Sequence, residues 1–253
     1  MLVSDLDGTL IFPDNLVSEE DLKAIIDLKS KGIPFVVATG RTLTGCSVIR
    51  DHHGLDYDYA VLANGAIIVD AKDMIIKKQT LNGSLVDKVV DYVKTRGFFI
   101  CGSNGDTSYV LDLDYECPQE PFITLVSEEE YKRQELVTIN ITLLEKDIDV
   151  TKQVMKELIE IFGKEASIFR NQDFIDIVPL GCSKGEGVKD VAKLLKIPHT
   201  NVHVVGDSWN DESMFSNFEN SYVLSHAEEL LKTKAKRIVN NVSEISHYFL
   251  ADK

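Results

Sequence analysis

A chain of 253 residues has room for one large or two modest domains, and a hydrophobic share of 44% is ordinary for a protein with a buried core. The net charge of −14 repels a polyanion at long range, so a nucleic-acid partner held by a basic face is not expected, and the charge otherwise serves solubility. No uninterrupted apolar run approaches the roughly 18 residues of a membrane span, and the opening Met1-Leu2-Val3-Ser4-Asp5 lacks the basic flank of a signal peptide, so a cytoplasmic protein is expected.

In chain order, Leu2–Ser4 is a short apolar run that stops at Asp5. Ser18 followed by Glu19, Glu20 and Asp21 predicts a capped helix start, with Leu22, Ile25, Ile26 and Leu28 on one face and Gly32 as its stop. The unbroken apolar run Ile33–Ala38 predicts a strand covered on both faces. A helix is expected over Leu43–His53, then strands over Tyr59–Leu62 and Ile67–Val69. The middle differs in texture: helices over Leu85–Arg96 and Val150–Phe162, and strands over Phe98–Cys101, Ser108–Leu113, Val137–Leu143 and Phe174–Val178. Polar alternation in these strands predicts a sheet with one open face. The last part returns to strand–helix alternation. A helix is expected over Lys184–Leu195 with Val188, Val191, Leu194 and Leu195 inward, and a buried strand over Asn201–Val205 that runs into Gly206-Asp207. Further helices are expected over Glu212–Phe218, Ala227–Lys234 and Ser243–Phe249. The class is α/β: a Rossmann-like, doubly wound parallel-sheet core built from residues 1–80 and 182–253, with an α+β domain of residues 81–181 inserted between them.

Four segments carry chemistry, each read as following the end of a predicted strand, and ligands of open α/β sheets bind beyond the carboxyl ends of the strands. In Asp5-Leu6-Asp7-Gly8-Thr9 two carboxylates stand close together, which a divalent cation makes tolerable; an Asx-type turn is the plainer use of the same residues. Ala38-Thr39-Gly40-Arg41 offers a hydroxyl and backbone amides that suit phosphate oxygens, or a simple Thr-Gly turn. In Ser183-Lys184-Gly185-Glu186-Gly187 a lysine opens a helix against the dipole, which gives it a task such as neutralising an anion, unless it is a surface lysine. Gly206-Asp207-Ser208-Trp209-Asn210-Asp211 supplies the hard oxygens Mg²⁺ prefers, and Asn210 or Asp211 can also cap a helix. Cys46, Cys101, Cys117 and Cys182 are scattered without a CxxC pair and read as free thiols of a reducing compartment, Cys182 as a packing residue. His52 and His53 are adjacent, cannot share a helix face, and read as surface residues. Trp209 reads as a pocket wall or a core aromatic.

Together these segments resemble, in order, the four motifs of the haloacid dehalogenase superfamily: DxDGT at Asp5, the Thr39 turn, Lys184, and GDxxND at Gly206. The large insert between the second and third motifs and Asn64-Gly65-Ala66 resemble its Cof-like, subfamily IIB branch, which carries an α/β cap. The chain departs from many relatives near its end, where Asn240-Asn241-Val242-Ser243-Glu244 replaces an Asp-Gly-Val-Ala ending. The resemblance implies a phosphatase acting on a small phosphorylated metabolite. It makes Asp5 the nucleophile and Asp7 the general acid and base. Thr39, Gly40, Lys184 and Asn210 would hold phosphate, and Arg41 and Asn64 would lie near the leaving group. Mg²⁺ would be held by Asp5, the Asp7 backbone carbonyl, Asp207 and Asp211, with Asp211 binding through water or orienting Lys184. A phosphotransferase or phosphomutase on the same fold, and a phospho-accepting signalling module, are the alternatives. Substrate identity and oligomeric state stay open.

Overall fold

A computed structural model describes residues 1–12, 16–111, 123–143, 147–171 and 173–250. Cys117, and the last two residues of the strand expected over Ser108–Leu113, lie outside them. The strands in chain order are β1 Leu2–Ser4, β2 Phe35–Ala38, β3 Tyr59–Leu62, β4 Ile67–Asp70, β5 Ile75–Lys78, β6 Phe99–Ser103, β7 Ser108–Leu111, β8 Ile123–Val126, β9 Thr138–Thr142, β10 Ala166–Asn171, β11 Phe174–Pro179, β12 His203–Gly206, β13 Asn220–Leu224 and β14 Arg237–Val239.

Eight strands form one sheet in the order β14-β13-β12-β1-β2-β3-β4-β5. The pairings from β14 through β3 are parallel, whereas β3–β4 and β4–β5 are antiparallel. Successive side chains point to opposite faces, so a strand buried on both sides must be apolar throughout. Leu2, Phe35 and Val37 accordingly pack with Ile25, Leu28 and Ile49 on one face, and Val3, Val36 and Ala38 with Val188, Val191 and Met214 on the other.

The other six strands, in the order β10-β11-β9-β6-β7-β8, form a second sheet from residues between β5 and the helix Lys184–Leu195. One face carries Ile100, Ile139, Ile141, Ile175 and Ile177, packed on Leu85, Val89 and Val93 of the helix Gly83–Lys94 and on Val154, Leu158 and Phe162 of the helix Ile148–Phe162. The residues between them point the other way. Cys101, Asn140 and Asp176 stand side by side in register on β6, β9 and β11.

Several expectations need correction. The helix expected over Leu43–His53 is two, Leu43–Cys46 and Val48–His53; the break follows Gly45, whose carbonyl accepts a bond from Arg41 Nη1 (2.9 Å). Ile26 and Leu194 are 53% and 51% exposed; Ile26 sits about 100° around the helix from buried Ile25, and Leu194 lies between exposed Lys193 and half-buried Leu195. The helix expected over Ala227–Lys234 is only Glu229–Lys232, and the last one begins as a 3₁₀ turn, Ser243–Ile245. The strand expected over Asn201–Val205 is His203–Gly206, preceded by a 3₁₀ turn. Strands β5, β8, β10, β13 and β14 went unrecognised; the exposed face of β5 with Lys77 and Lys78 conceals its pairing.

Candidate active site

Strands β2, β1 and β12 are neighbours and parallel, so the residues that follow them emerge at one edge: Thr39, Asp5 and Asp207. Lys184 opens the helix Lys184–Leu195, capped by Ser183, and reaches the same edge. Its ammonium donates to Asp5 Oδ1 and to Asp211 Oδ1, each at 2.7 Å. All three groups are buried. Asp211 Oδ2 accepts the backbone N–H groups of Asp207 and Ser208, both at 2.9 Å. Asp211 therefore fixes the Asp207 loop with one oxygen and Lys184 with the other. Asp207 accepts the Thr9 hydroxyl at 2.7 Å and the Ser208 hydroxyl at 3.2 Å. The turn after Asp7 passes so close that a Cβ at Gly8 (φ +81°) would stand 2.6 Å from Asp207 Oδ2.

Electrostatics at this edge are strained. Burial pushes Asp5 well above the usual carboxylate range; Asp211 and Asp207 push it further while Lys184 pulls it down. Asp207 is raised for the same reasons, burial first and Asp211 next. For Lys184 burial works against the charge, but Asp211 and Asp5 outweigh it and raise its pKa. One oxygen from each of Asp5, Asp207 and Asp211 fits within a span of 4.8 Å. Three carboxylates against one ammonium leave a formal charge of minus two at a site of hard oxygen donors, which a divalent cation fits.

The remaining sequence candidates divide. Asp7 is held by Arg41, whose Nε and Nη2 donate to its two oxygens at 2.8 and 2.6 Å. The Thr39 hydroxyl is buried and accepts the Arg41 N–H at 3.0 Å, which leaves its proton to donate. Gly40 lies under Asp176, where a Cβ would be 3.3 Å from Oδ2. Asn64 sits in a turn with three successive positive φ values, Ala63 +46°, Asn64 +48° and Gly65 +93°. Such backbone is costly away from glycine and is retained where surroundings impose it; here Ala63 and Asn64 donate to the Arg41 and Thr39 carbonyls. Gly65 has no alternative, since a Cβ would lie 2.2 Å from the Ser183 carbonyl oxygen. Asn210 is buried beside Asn64: its amide nitrogen donates to Asn64 Oδ1 at 3.2 Å, and its own carbonyl oxygen has no partner among the described residues. Cys182 is buried, its thiol donating to Gln79 Oε1 at 3.1 Å. Trp209 is half-buried, packs against the core on the face that holds Val188 and Met214, and donates to Glu228.

Three participants were missed. Asp176 of β11 accepts from Asn64 Nδ2 (2.7 Å) and Asn140 Nδ2 (2.6 Å), and burial raises its pKa against those two donors. The signal was a lone acid in the apolar strand Phe174–Val178. Arg170 of β10 pairs with Glu228 and lies over the Trp209 ring. His226 Nε2 lies 3.7 Å from Asp207 Oδ2; it follows β13, which the sequence did not reveal as a strand.

Compared with known proteins, the chain matches the haloacid dehalogenase-like hydrolase family over residues 2–248. A 5-amino-6-(5-phospho-D-ribitylamino)uracil phosphatase of Bacillus subtilis is 24% identical over 241 residues, covering 95% of this chain and 89% of the relative. An HMP-PP phosphatase of Yersinia pestis is 23% identical over 252 residues, covering 92% and 86%. Among solved structures, the HAD subclass IIB sugar phosphatase BT4131 is similar with a TM-score of 0.83 at 20% identity, over 98% of both chains. A haloacid dehalogenase-like hydrolase from B. subtilis is similar with a TM-score of 0.85 at 21% identity, over 100% and 99%. At such identities the structural likeness is one of fold.

Proposed function

The chain belongs to the haloacid dehalogenase-like hydrolase family, and we propose that it is a Mg²⁺-dependent phosphatase that releases phosphate from a small phosphorylated metabolite through an aspartyl-phosphate on Asp5. The buried cluster of Asp5, Asp207, Asp211 and Lys184 carries this reading: an arrangement so costly to bury makes sense where a cation and a phosphoryl group are to be held. Mg²⁺ bound by Asp5, the Asp7 carbonyl and Asp207, with Asp211 behind, would offset the charge of the phosphoryl oxygens.

The chain's own groups then divide the work. Lys184 fixes Asp5 through Oδ1, so Oδ2 is the oxygen that attacks phosphorus. The bond from phosphorus to the leaving oxygen breaks as Asp7, with one carboxylate oxygen freed from its bond to Arg41 and protonated, gives the leaving oxygen its proton. Asp7, again a carboxylate, takes a proton from the water that attacks the aspartyl-phosphate; phosphate departs and Asp5 is regenerated. Lys184 and the Thr39 hydroxyl hold phosphoryl oxygens, and Gly40 gives them room. Asn210 holds the Asn64 turn with one N–H of its amide and has the second N–H for a phosphoryl oxygen. Residues 81–181 act as the cap, with Asp176 facing Gly40 and Asn64. Phosphate release from p-nitrophenyl phosphate with Mg²⁺ tests the proposal. Asp5→Asn keeps the shape and cannot attack, so activity is lost while the melting profile stays cooperative; a folded variant retaining more than a small fraction of wild-type turnover refutes the nucleophile.

A further inference from the structure

Three cations line a cavity of about 640 Å³ at the far edge of the eight-stranded sheet from Asp5 and Asp207. Strands β12, β13 and β14 run parallel, so Asp207 follows the carboxyl end of β12, whereas Asn220 and Arg237 open β13 and β14 at their amino ends. The cavity lies at those amino ends, between the end of the helix Glu212–Asn217 and the segment that enters β14. It shares no residue with the candidate active site. Lys234, Lys236 and Arg237 line it with one acid, Glu219.

In a chain with 41 acidic against 27 basic residues, three cations to one acid run against composition. Nor is their charge spent elsewhere. Lys236 and Arg237 form no ion pair among the described residues, and Lys234 comes no nearer to Glu212 than 3.9 Å. Arg237 is held without losing its donors: its guanidinium lies 4.8 Å from the centre of the Tyr248 ring and 5.8 Å from that of Tyr222, and ring faces attract a cation while its N–H groups stay free for an anion. The buried Ser221 hydroxyl accepts the Lys236 N–H at 3.1 Å and keeps its own proton to donate among the described residues. Against Glu219 the three cations leave a net charge of plus two, which a phosphate group neutralises, and a guanidinium fork matches phosphate oxygens. The volume falls within the roughly 300–1,000 Å³ of small-molecule sites, enough for a phosphate together with the body that carries it.

We propose that this cavity is a second, metal-independent anion site, remote from the catalytic edge, that takes the diphosphate group of a small molecule. Without a divalent cation the Asp5, Asp207 and Asp211 cluster carries a formal charge of minus two and repels anions, so a titration in buffer stripped of divalent metal isolates the distal cavity. Calorimetry with inorganic pyrophosphate is expected to show one site per chain with a Kd below about 1 mM, weakening as salt is raised. Lys236→Glu, at an exposed position where folding is not at stake, raises that Kd at least tenfold. Lys72→Glu makes the same charge change on the exposed turn between β4 and β5, at the other end of the sheet, and leaves the Kd within twofold. Asp5→Asn leaves it within twofold as well. ADP as the second ligand separates the sources: binding at least as tight as pyrophosphate assigns the site to a nucleoside diphosphate, and binding of pyrophosphate alone assigns it to the free ion. Absence of binding by both ligands, equal weakening by the two lysine variants, or tighter binding to Asp5→Asn overturns the proposal. None of these outcomes touches the phosphatase reading, which rests on the opposite edge of the sheet.

Discussion

Replacing Asp207 by Asn removes a cation ligand and a buried negative charge together, and the two effects act in opposite directions. In wild type without metal, the Asp5, Asp207 and Asp211 oxygens lie no more than 4.8 Å apart. At an effective dielectric near 20, two unit charges at that widest separation repel by about 3.5 kcal/mol, which Lys184 offsets in part. The asparagine carbonyl can still accept the Thr9 hydroxyl, so little is lost in exchange. The variant should therefore melt higher than wild type in chelator. Metal reverses the order. A cation that binds the assembled site and not the unfolded chain stabilises by about 2.7 kcal/mol at a hundred times its Kd, which at about 2–4 °C per kcal/mol is ~5–11 °C for a chain of this size. Wild type should show that rise on titration with Mg²⁺, and Asp207→Asn should show little of it and no turnover. Thermal melts of both proteins across a Mg²⁺ series, followed by near-ultraviolet circular dichroism, give the comparison. An equal rise in the two would mean that Asp207 is not a ligand, and the charge reasoning for this cluster would fail with it.

Asp7→Asn should slow breakdown of the aspartyl-phosphate more than its formation from an activated aryl phosphate, because the good leaving group needs no proton. Rapid-quench kinetics should show a burst, and equal loss in both steps would contradict the acid–base role. Lys184→Met leaves Asp5 and Asp211 buried without their cation, and breaking such a pair costs about 3–5 kcal/mol. Its urea midpoint should fall accordingly in chelator and recover in part with Mg²⁺; an unshifted midpoint would deny the pairing. Asp21 is tied to the C-terminal turn by the Ser243 N–H (2.6 Å), and burial raises its pKa above 3.8. A raised folded pKa means stability that is complete below 3.8 and is lost as pH climbs through the folded value. Asp21→Asn should flatten the decline in denaturation free energy from pH 4 upward, and parallel pH profiles of variant and wild type would count against the burial effect.

Much of the candidate site's edge was legible because its residues mark strand ends. Unbroken apolar runs at Leu2–Ser4 and before Gly206 announced buried parallel strands, and the polar residues after them had to leave the sheet at its carboxyl edge. Lys184 was legible as a cation placed against a helix dipole. Local pattern failed where the determining partner is distant. Asp176 looked like one polar residue in a strand until pairing with Asn140, and contact with Asn64 some 112 positions away, put it over the site. Asp7 and Arg41 stand 34 residues apart, and their pairing follows from which turns meet, not from either turn's composition.

Composition, periodicity and spacing thus determined the α/β class, the chain order of most elements and the residue types of the site, since these depend on short-range sterics and on which side chains can be buried. Tertiary structure alone decided that β4 and β5 run antiparallel at one edge, that Asp211 spends its oxygens on Lys184 and the Asp207 loop, and that a cavity lies between the two sheets beside Arg41. Those outcomes come from long-range closure of the chain, where the meeting of two distant segments sets the local dielectric, the charge balance and the shape of the space between them.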